Sequence, residues 1–432
     1  MGTSRIGRVG GREVLDSRGR PTVEVEITTD GGCLARAMVP SGASTGAAEC
    51  LELRDGDPAR YDGQGVRRAV DNVCHVLGPA VVGLDVTDQR AVDQRLLELD
   101  ATPQKTRLGG NSLLGVSLAV ARAAAAARQI PLYRHFHELL ARGAERGRGA
   151  ARVPPPRMPL PMTNMISGGL HAGGNLDFQD ILITPVGAPD YPTGLEWIVR
   201  VYRRLGGLLS SAGYEGWLVG DEGGYGPRLK TNRAAVSFVV QAVEAAGLRP
   251  GSDVTVAIDV AATHFYRDGA YHLVSEGGKV LNADGMIDLL AGWVDEFPVT
   301  SIEDGLAEDD WTGWQRLTAR LGGRLRLVGD DFFTTNPGRL KRGIESGAAN
   351  SVLIKVNQIG TLSEALDTIH VARSAGYSVV VSARSGETED DTLADLAVGV
   401  AADQIKIGSI VRSERLAKYN QLLRIAEQLA AR

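Results

Sequence analysis

Apolar and polar positions alternate along this chain in different ways on either side of one break. From residue 21, PTVEVEITTD alternates with a period of two, which predicts a strand with one buried face. GGCLARAMVP follows and continues a small antiparallel sheet. AVDNVCHVLGPAVVG and NSLLGVSLAVARAAAAARQ then carry apolar residues at helical spacing. The stretch ARGAERGRGAARVPPPR, residues 141–157, breaks the pattern with glycines, arginines and three prolines. It cannot be regular throughout and marks a linker or long surface loop. The reading is an α+β domain over 1–140, a linker over 141–157 and a second domain over 158–432.

Beyond the break a new rhythm sets in. VTVAIDV, VTSIED, LRLVGDD, SVLIKVN, YSVVVSARS and QIKIGS are short β-branched runs separated by helical stretches. Near-continuous apolar strands alternating with helices predict a parallel sheet covered by helices. Six such units after a less regular start predict a closed (β/α)8-type barrel of the α/β class. An open doubly wound sheet is the alternative, and the strand ends favour the barrel.

Composition narrows the class. A chain of 432 residues predicts two domains, and 43% hydrophobic with 23% charged residues is ordinary for a globular enzyme. The net charge of −5 argues against broad nucleic-acid or anionic-membrane binding. Cys33, Cys50 and Cys74 have no metal-type spacing and read as thiols of a reducing compartment. MGTSRIGRVGGREVLDSRG shows no apolar signal-peptide region. SLLGVSLAVARAAAAA is interrupted by Ser and Arg and is too short for a membrane span, so a packed helix of a cytoplasmic protein is expected. Only seven of 47 cationic residues are Lys, so a Lys inside an apolar strand invites a reason.

The C-terminal strand ends present, in order, Asp259, Glu303, Asp330, Lys355, Arg384 with Ser385, and Lys406. From Glu303 onward they recur at roughly 25 residues, the length of one short βα unit. In a barrel such ends converge on one mouth. Asp259, Glu303 and Asp330 are hard oxygen donors suited to Mg2+. Without a cation they would repel one another and one would stay protonated. Asp331 is expected on the opposite face of its strand, in a supporting role. Lys355 is the candidate base, since a Lys can give up its proton where an Arg cannot. Lys406 would stay charged and hold a substrate carboxylate or phosphate.

Three loops add to this set. In GDEGGYGP, residues 220–227, glycines flank Asp221 and Glu222 and expose a carboxylate that could act as the acid opposite Lys355. SGGLHAGGN, residues 167–175, puts His171 on a Gly-rich loop. SGASTG, residues 41–46, is small, hydroxyl-bearing and suited to covering a site. VVVSARSGET ends a strand on Arg384 and Ser385, a pair suited to a small anion.

DSRGRPTVEVE, VPSGASTG, LELRDGD, GDEGGYGP, SIEDGL, VGDD, LIKVNQIGTLSEAL, RSGETEDDT, DLAVG and KYNQLLRIAE occur in that order over essentially the whole chain. Together they resemble the enolase family. The resemblance implies an N-terminal capping domain packed on the barrel and a homodimer or homo-octamer. It implies that Asp259, Glu303 and Asp330 bind one Mg2+ and that Ser44 binds a second, which arrives with substrate. It implies Lys355 as the base and Glu222 as the proton donor to the leaving hydroxyl. Gln179, Arg384, Ser385 and Lys406 would hold substrate, and His171 would ride on a closing loop.

The chain departs from that family at several positions. Ala383 stands where enolases carry His before the Arg-Ser pair. Asp180 replaces a Glu that assists the acid, one methylene shorter. Ile407 and His264 replace a common Thr and Glu. These changes gather around the substrate and leave the expected metal ligands and base intact. A missing imidazole opens room about the size of a carboxylate. One enolase-like branch makes carboxyphosphonoenolpyruvate in phosphinothricin-type biosynthesis. The expectation is therefore a specialised paralogue acting on a phosphorylated or phosphono carboxylic acid with a larger phosphorus head. An ordinary enolase converting 2-phosphoglycerate to phosphoenolpyruvate and a catalytically weak enolase-fold binding protein are the alternatives.

Overall fold

The computed structural model describes residues 4–42, 46–146 and 153–431. Strands Ile6–Leu15, Pro21–Thr29 and Leu34–Met38 form an antiparallel sheet in chain order. The period-two pattern holds in the middle strand, where Val23, Val25 and Ile27 are fully buried and Glu24 and Glu26 reach outward. That buried face packs on the helix Gly110–Ala127. The contact needs Gly115, because a Cβ there would lie 2.6 Å from Val25 Cγ2. By length and composition this helix could cross a membrane, but it is 83% buried inside the protein, as expected of a core helix.

The helix Leu132–Arg146 runs six residues into the segment read as a linker. Residues 147–152 of that segment lie outside the described residues.

Eight strands close the barrel: Leu160–Ser167, Asp180–Thr184, Thr255–Asp259, Val299–Glu303, Arg326–Gly329, Ser351–Ile354, Ser378–Ser382 and Gln404–Gly408. Pairing of Gln404 with Leu160 completes the ring. Met162, Leu182, Ala257, Val328, Leu353 and Val380 fill the interior as a separate apolar cluster.

The expectation of a wholly parallel sheet fails at one strand. Asp180–Thr184 runs antiparallel to both neighbours. The connection over residues 168–179 holds only one 3-10 turn, Gly169–Ala172, and has no crossover helix to reverse direction again. Gly168 permits this tight return, since a Cβ there would meet the Phe178 carbonyl oxygen at 2.2 Å. The second strand therefore begins, rather than ends, at the mouth. Asp180 pairs with Asp259, and Asp259 with Glu303, so three carboxylates lie in register on adjacent strands.

The first domain caps this end of the barrel through backbone contacts. Ser41 and Gly386 exchange N–H···O bonds of 2.7 and 2.9 Å, and Cys50 N donates to Gln358 O at 2.8 Å.

Candidate active site

His171, Gln179, Glu222, Lys355, Ala383, Arg384, Ser385 and Lys406 line one pocket at the barrel mouth. All of them are buried. Strand ends supply Lys355, Ala383 and Lys406, and the antiparallel strand supplies Gln179 from its start.

Two lysines neutralise the carboxylates. Lys406 Nζ donates to Asp259 Oδ2 at 2.6 Å and to both Glu303 oxygens at 2.9 and 2.8 Å. Lys355 Nζ bonds Asp330 Oδ2. Gln179 Nε2 donates to Asp259 Oδ2 at 3.2 Å, and Gln358 Nε2 to Asp330 Oδ1 at 2.8 Å. Burial works against the charge on Lys355, but Asp330 outweighs it and the pKa rises. Lys406 rises likewise, with Asp259 and Glu303 as its partners. Burial and then Asp259 push the Glu303 carboxyl well above its usual range. A buried carboxylate set in this condition calls for more positive charge than the lysines bring.

Asp304, which the sequence reading missed, organises one side of this set. Its two oxygens accept from Asp330 N at 3.0 Å and Asp331 N at 2.8 Å. The strand has already ended at Gly329, so strand alternation does not apply to Asp331. Asp304, Asp330 and Asp331 offer ligand oxygens within 4.8 Å of one another, which corrects the expectation that Asp331 faces away. Burial, followed by Asp330, pushes the Asp331 carboxyl up to about 8. Oxygen-only donors in a buried, charge-hungry cluster fit a hard divalent cation. Ser44 lies outside the described residues.

Across the mouth, His171 Nδ1 lies 3.0 Å from Asp180 Oδ2, and its Nε2 lies 3.9 Å from Glu222 Oε1. Burial would lower the imidazole pKa, but Asp180 and then Glu222 override it and raise it to about 9. Asp180 is pushed up to about 6 by burial, partly offset by His171. Glu222 ends below its usual range because His171 and Arg415 outweigh its burial. The dissociable proton of this trio therefore sits on His171. The Glu222 loop was expected to be exposed and is not. Asp221 N donates to His171 O at 3.0 Å and Ser409 N to Glu222 O at 2.9 Å, which folds the loop inward.

Arg384 and Ser385 sit beside Ala383, as the strand end suggested. Arg384 Nη1 donates to Glu49 Oε2 at 2.9 Å, and Arg18 Nη1 donates to Ser385 Oγ at 3.3 Å. Both partners come from the first domain.

Two family models match this chain: "Enolase, N-terminal domain" over residues 6–136 and "Enolase, C-terminal TIM barrel domain" over residues 156–432. The chain belongs to the enolase family. That membership makes it an enolase-family lyase with acidic clusters able to hold a metal ion.

In this family member the sequence reading missed a second brace. Arg415 is fully buried, and its guanidinium donates to Arg384 O at 2.6 Å, Ile407 O at 2.9 Å and Ser385 O at 2.7 Å. It fixes the backbone that carries the Arg-Ser pair. Its only sequence signal is an arginine on the buried face of the helix Ser413–Ala430.

Proposed function

We propose that this enolase-family lyase abstracts the proton next to a substrate carboxylate and eliminates a β-hydroxyl, on a 2-phosphoglycerate-like compound with a larger phosphorus head. The observation that carries the reading is Ala383 in the wall of a pocket lined by both lysines, whose amines bond all three strand-end carboxylates. Carboxyphosphonoenolpyruvate formation in phosphinothricin-type biosynthesis is the reaction with the matching head group.

Lys355 must first release to solvent the proton that Asp330 helps it hold; as the free amine it takes the α-proton, and Glu222 returns one to the departing hydroxyl, which leaves as water. Glu222 is ionised in this state, so it needs a proton first, and His171 at 3.9 Å is the nearby cationic donor. Gln179, Lys406, Arg384 and Ser385 hold the substrate, with Asp180 setting the His171 ring. Asp259, Glu303 and Asp330 would hold one Mg2+, and Ser44 a second that comes with substrate. Bound Mg2+ would neutralise these carboxylates and polarise the substrate carboxylate, making the α-proton more acidic. The protein would work as a cytoplasmic homodimer or homo-octamer, with domains over 1–140 and 158–432.

The test is a substrate comparison at saturating Mg2+, following enol absorbance for 2-phosphoglycerate and product formation for its carboxyphosphono analogue. Preference for the analogue supports the reading. Preference for 2-phosphoglycerate restores the ordinary glycolytic assignment.

A further inference from the structure

Thr335 is held in a backbone conformation that a β-branched residue rarely adopts. It lies in the turn between the strand Arg326–Gly329 and the helix Pro337–Ser346, five residues after Asp330. Its φ is +53°, and that of Thr334 is +49°. Left-handed backbone at two successive threonines persists only where the surroundings fix it. Here Thr334 N donates to Asp330 O at 2.7 Å, and Thr368 Oγ1 donates to Thr335 O at 2.7 Å.

The turn delivers one hydroxyl to the floor of the site. Thr335 Oγ1 accepts from Lys355 N at 2.9 Å and lies 2.6 Å from Gln358 Oε1. Gln358 Nε2 is committed to two carboxylates, donating to Asp330 Oδ1 at 2.8 Å and to Glu49 Oε1 at 3.2 Å. A flipped amide would set oxygen against oxygen at both, so Oε1 faces Thr335 and accepts the hydroxyl proton. Leu353 O, at 3.5 Å, is the weaker acceptor for that proton. Asp330 Oδ2 binds the Lys355 amine. The path closes on itself: Lys355 N–H, Thr335 hydroxyl, Gln358 amide, Asp330 carboxylate, Lys355 Nζ. All four residues are buried, so water competes little for these bonds.

We propose that Thr335 is a positioning residue for the Lys355–Asp330 pair: its hydroxyl fixes the main chain at Lys355 and, through Gln358, the plane of the Asp330 carboxylate. The proposal rests on the reading of Asp330 as a Mg2+ ligand and Lys355 as the base. Each oxygen of Asp330 has its own donor in the ring, so the carboxylate cannot turn without breaking a bond. Lys355 is held at its main chain and at its amine by one connected set of bonds. The strained turn thereby sets the geometry of two residues that lie on neighbouring strands.

The experiment measures Mg2+ affinity of the full-length protein by calorimetry. Beside it run kcat and KM for whichever of 2-phosphoglycerate and its carboxyphosphono analogue wild type turns over faster, and a circular-dichroism melt. Where neither compound is turned over, Mg2+ affinity alone decides. Thr335→Val keeps the shape and removes the hydroxyl. It should weaken Mg2+ about tenfold or more and lower kcat by a similar factor, with KM within about threefold of wild type. Thr335→Ser keeps the hydroxyl and should stay within about twofold of wild type in both. Gln358→Met should resemble Thr335→Val, and the double variant should be no worse than the worse single one, because both break the same ring.

A role in folding alone would lower the melt and leave Mg2+ affinity and kcat of folded Thr335→Val unchanged, which overturns the proposal. Equal losses in Thr335→Ser and Thr335→Val, or losses that multiply in the double variant, overturn it as well. Should Thr335→Val fail to fold, wild-type Mg2+ affinity and kcat in Gln358→Met overturn it equally. Asp330→Asn separates the proposal from the reading beneath it. If Asp330→Asn loses Mg2+ while Thr335→Val and Gln358→Met match wild type, only the role of Thr335 falls. If Asp330→Asn binds Mg2+ as wild type does, the ligand reading falls and takes the proposal with it.

Discussion

Lys406 Nζ donates to both carboxylate oxygens of Glu303, at 2.9 and 2.8 Å, from the far side of the barrel mouth. A side-chain cation thus sits among carboxylates that the sequence marks for a metal ion. Such a cluster should bind Mg2+ and gain stability from it. At Mg2+ about 100 times its Kd, the expected gain is about 2.7 kcal/mol. Thermal melts in Mg2+ and in excess EDTA check this. Coincident melts would remove the metal from the account.

Lys355 is the group expected to move the α-proton. Lys355→Met keeps length and volume while deleting the amine. Turnover should fall on the order of 100- to 10,000-fold with the fold intact. The check pairs kcat with a circular-dichroism melt, and a loss below tenfold would take the base role away from Lys355.

A buried ion pair behind the pocket makes a prediction about stability. Lys418 Nζ lies 2.8 Å from Glu387 Oε2, with both side chains buried. Lys418→Met leaves Glu387 buried without its partner, and should cost about 3–5 kcal/mol in urea unfolding. Replacing both members with apolar residues should recover most of that loss.

Acid should weaken the first domain through His135. Its side chain is buried, and Arg128 Nη1 lies 3.3 Å from its Nδ1. Burial, then Arg128, lowers the imidazole pKa from 6.5 to about 4. The unfolded chain takes up a proton below pH 6.5 that the folded chain refuses. The stabilisation is therefore complete above pH 6.5 and lost as pH falls toward 4, to a limit of about 3 kcal/mol. Urea melts at pH 7 and pH 5 should converge for His135→Gln relative to wild type. Equal pH slopes in the two proteins would refute this.

Much of this architecture is legible in the sequence because it rests on local periodicity. The βα rhythm from Val254 onward and the charges at the strand ends follow from the strand and helix patterns alone. Strand direction does not, since DILIT reads the same whichever way it runs, and the antiparallel course of residues 180–184 depends on a glycine-permitted return. Asp331 was misplaced because strand alternation was carried past Gly329, where the strand ends. Asp304, Glu49 and Arg415 escaped notice for another reason: each acts on a residue distant in sequence or through backbone atoms. Their partners appear only when the chain is folded.

The proposed head-group specificity rests on Ala383. The direct measurement is kcat/KM for 2-phosphoglycerate in wild type and in Ala383→His, beside kcat/KM of wild type for the carboxyphosphono analogue. The account predicts little turnover of 2-phosphoglycerate by wild type, a gain on the order of tenfold or more in Ala383→His, and a clear wild-type preference for the analogue. Efficient wild-type turnover of 2-phosphoglycerate, raised no further by Ala383→His, would contradict it.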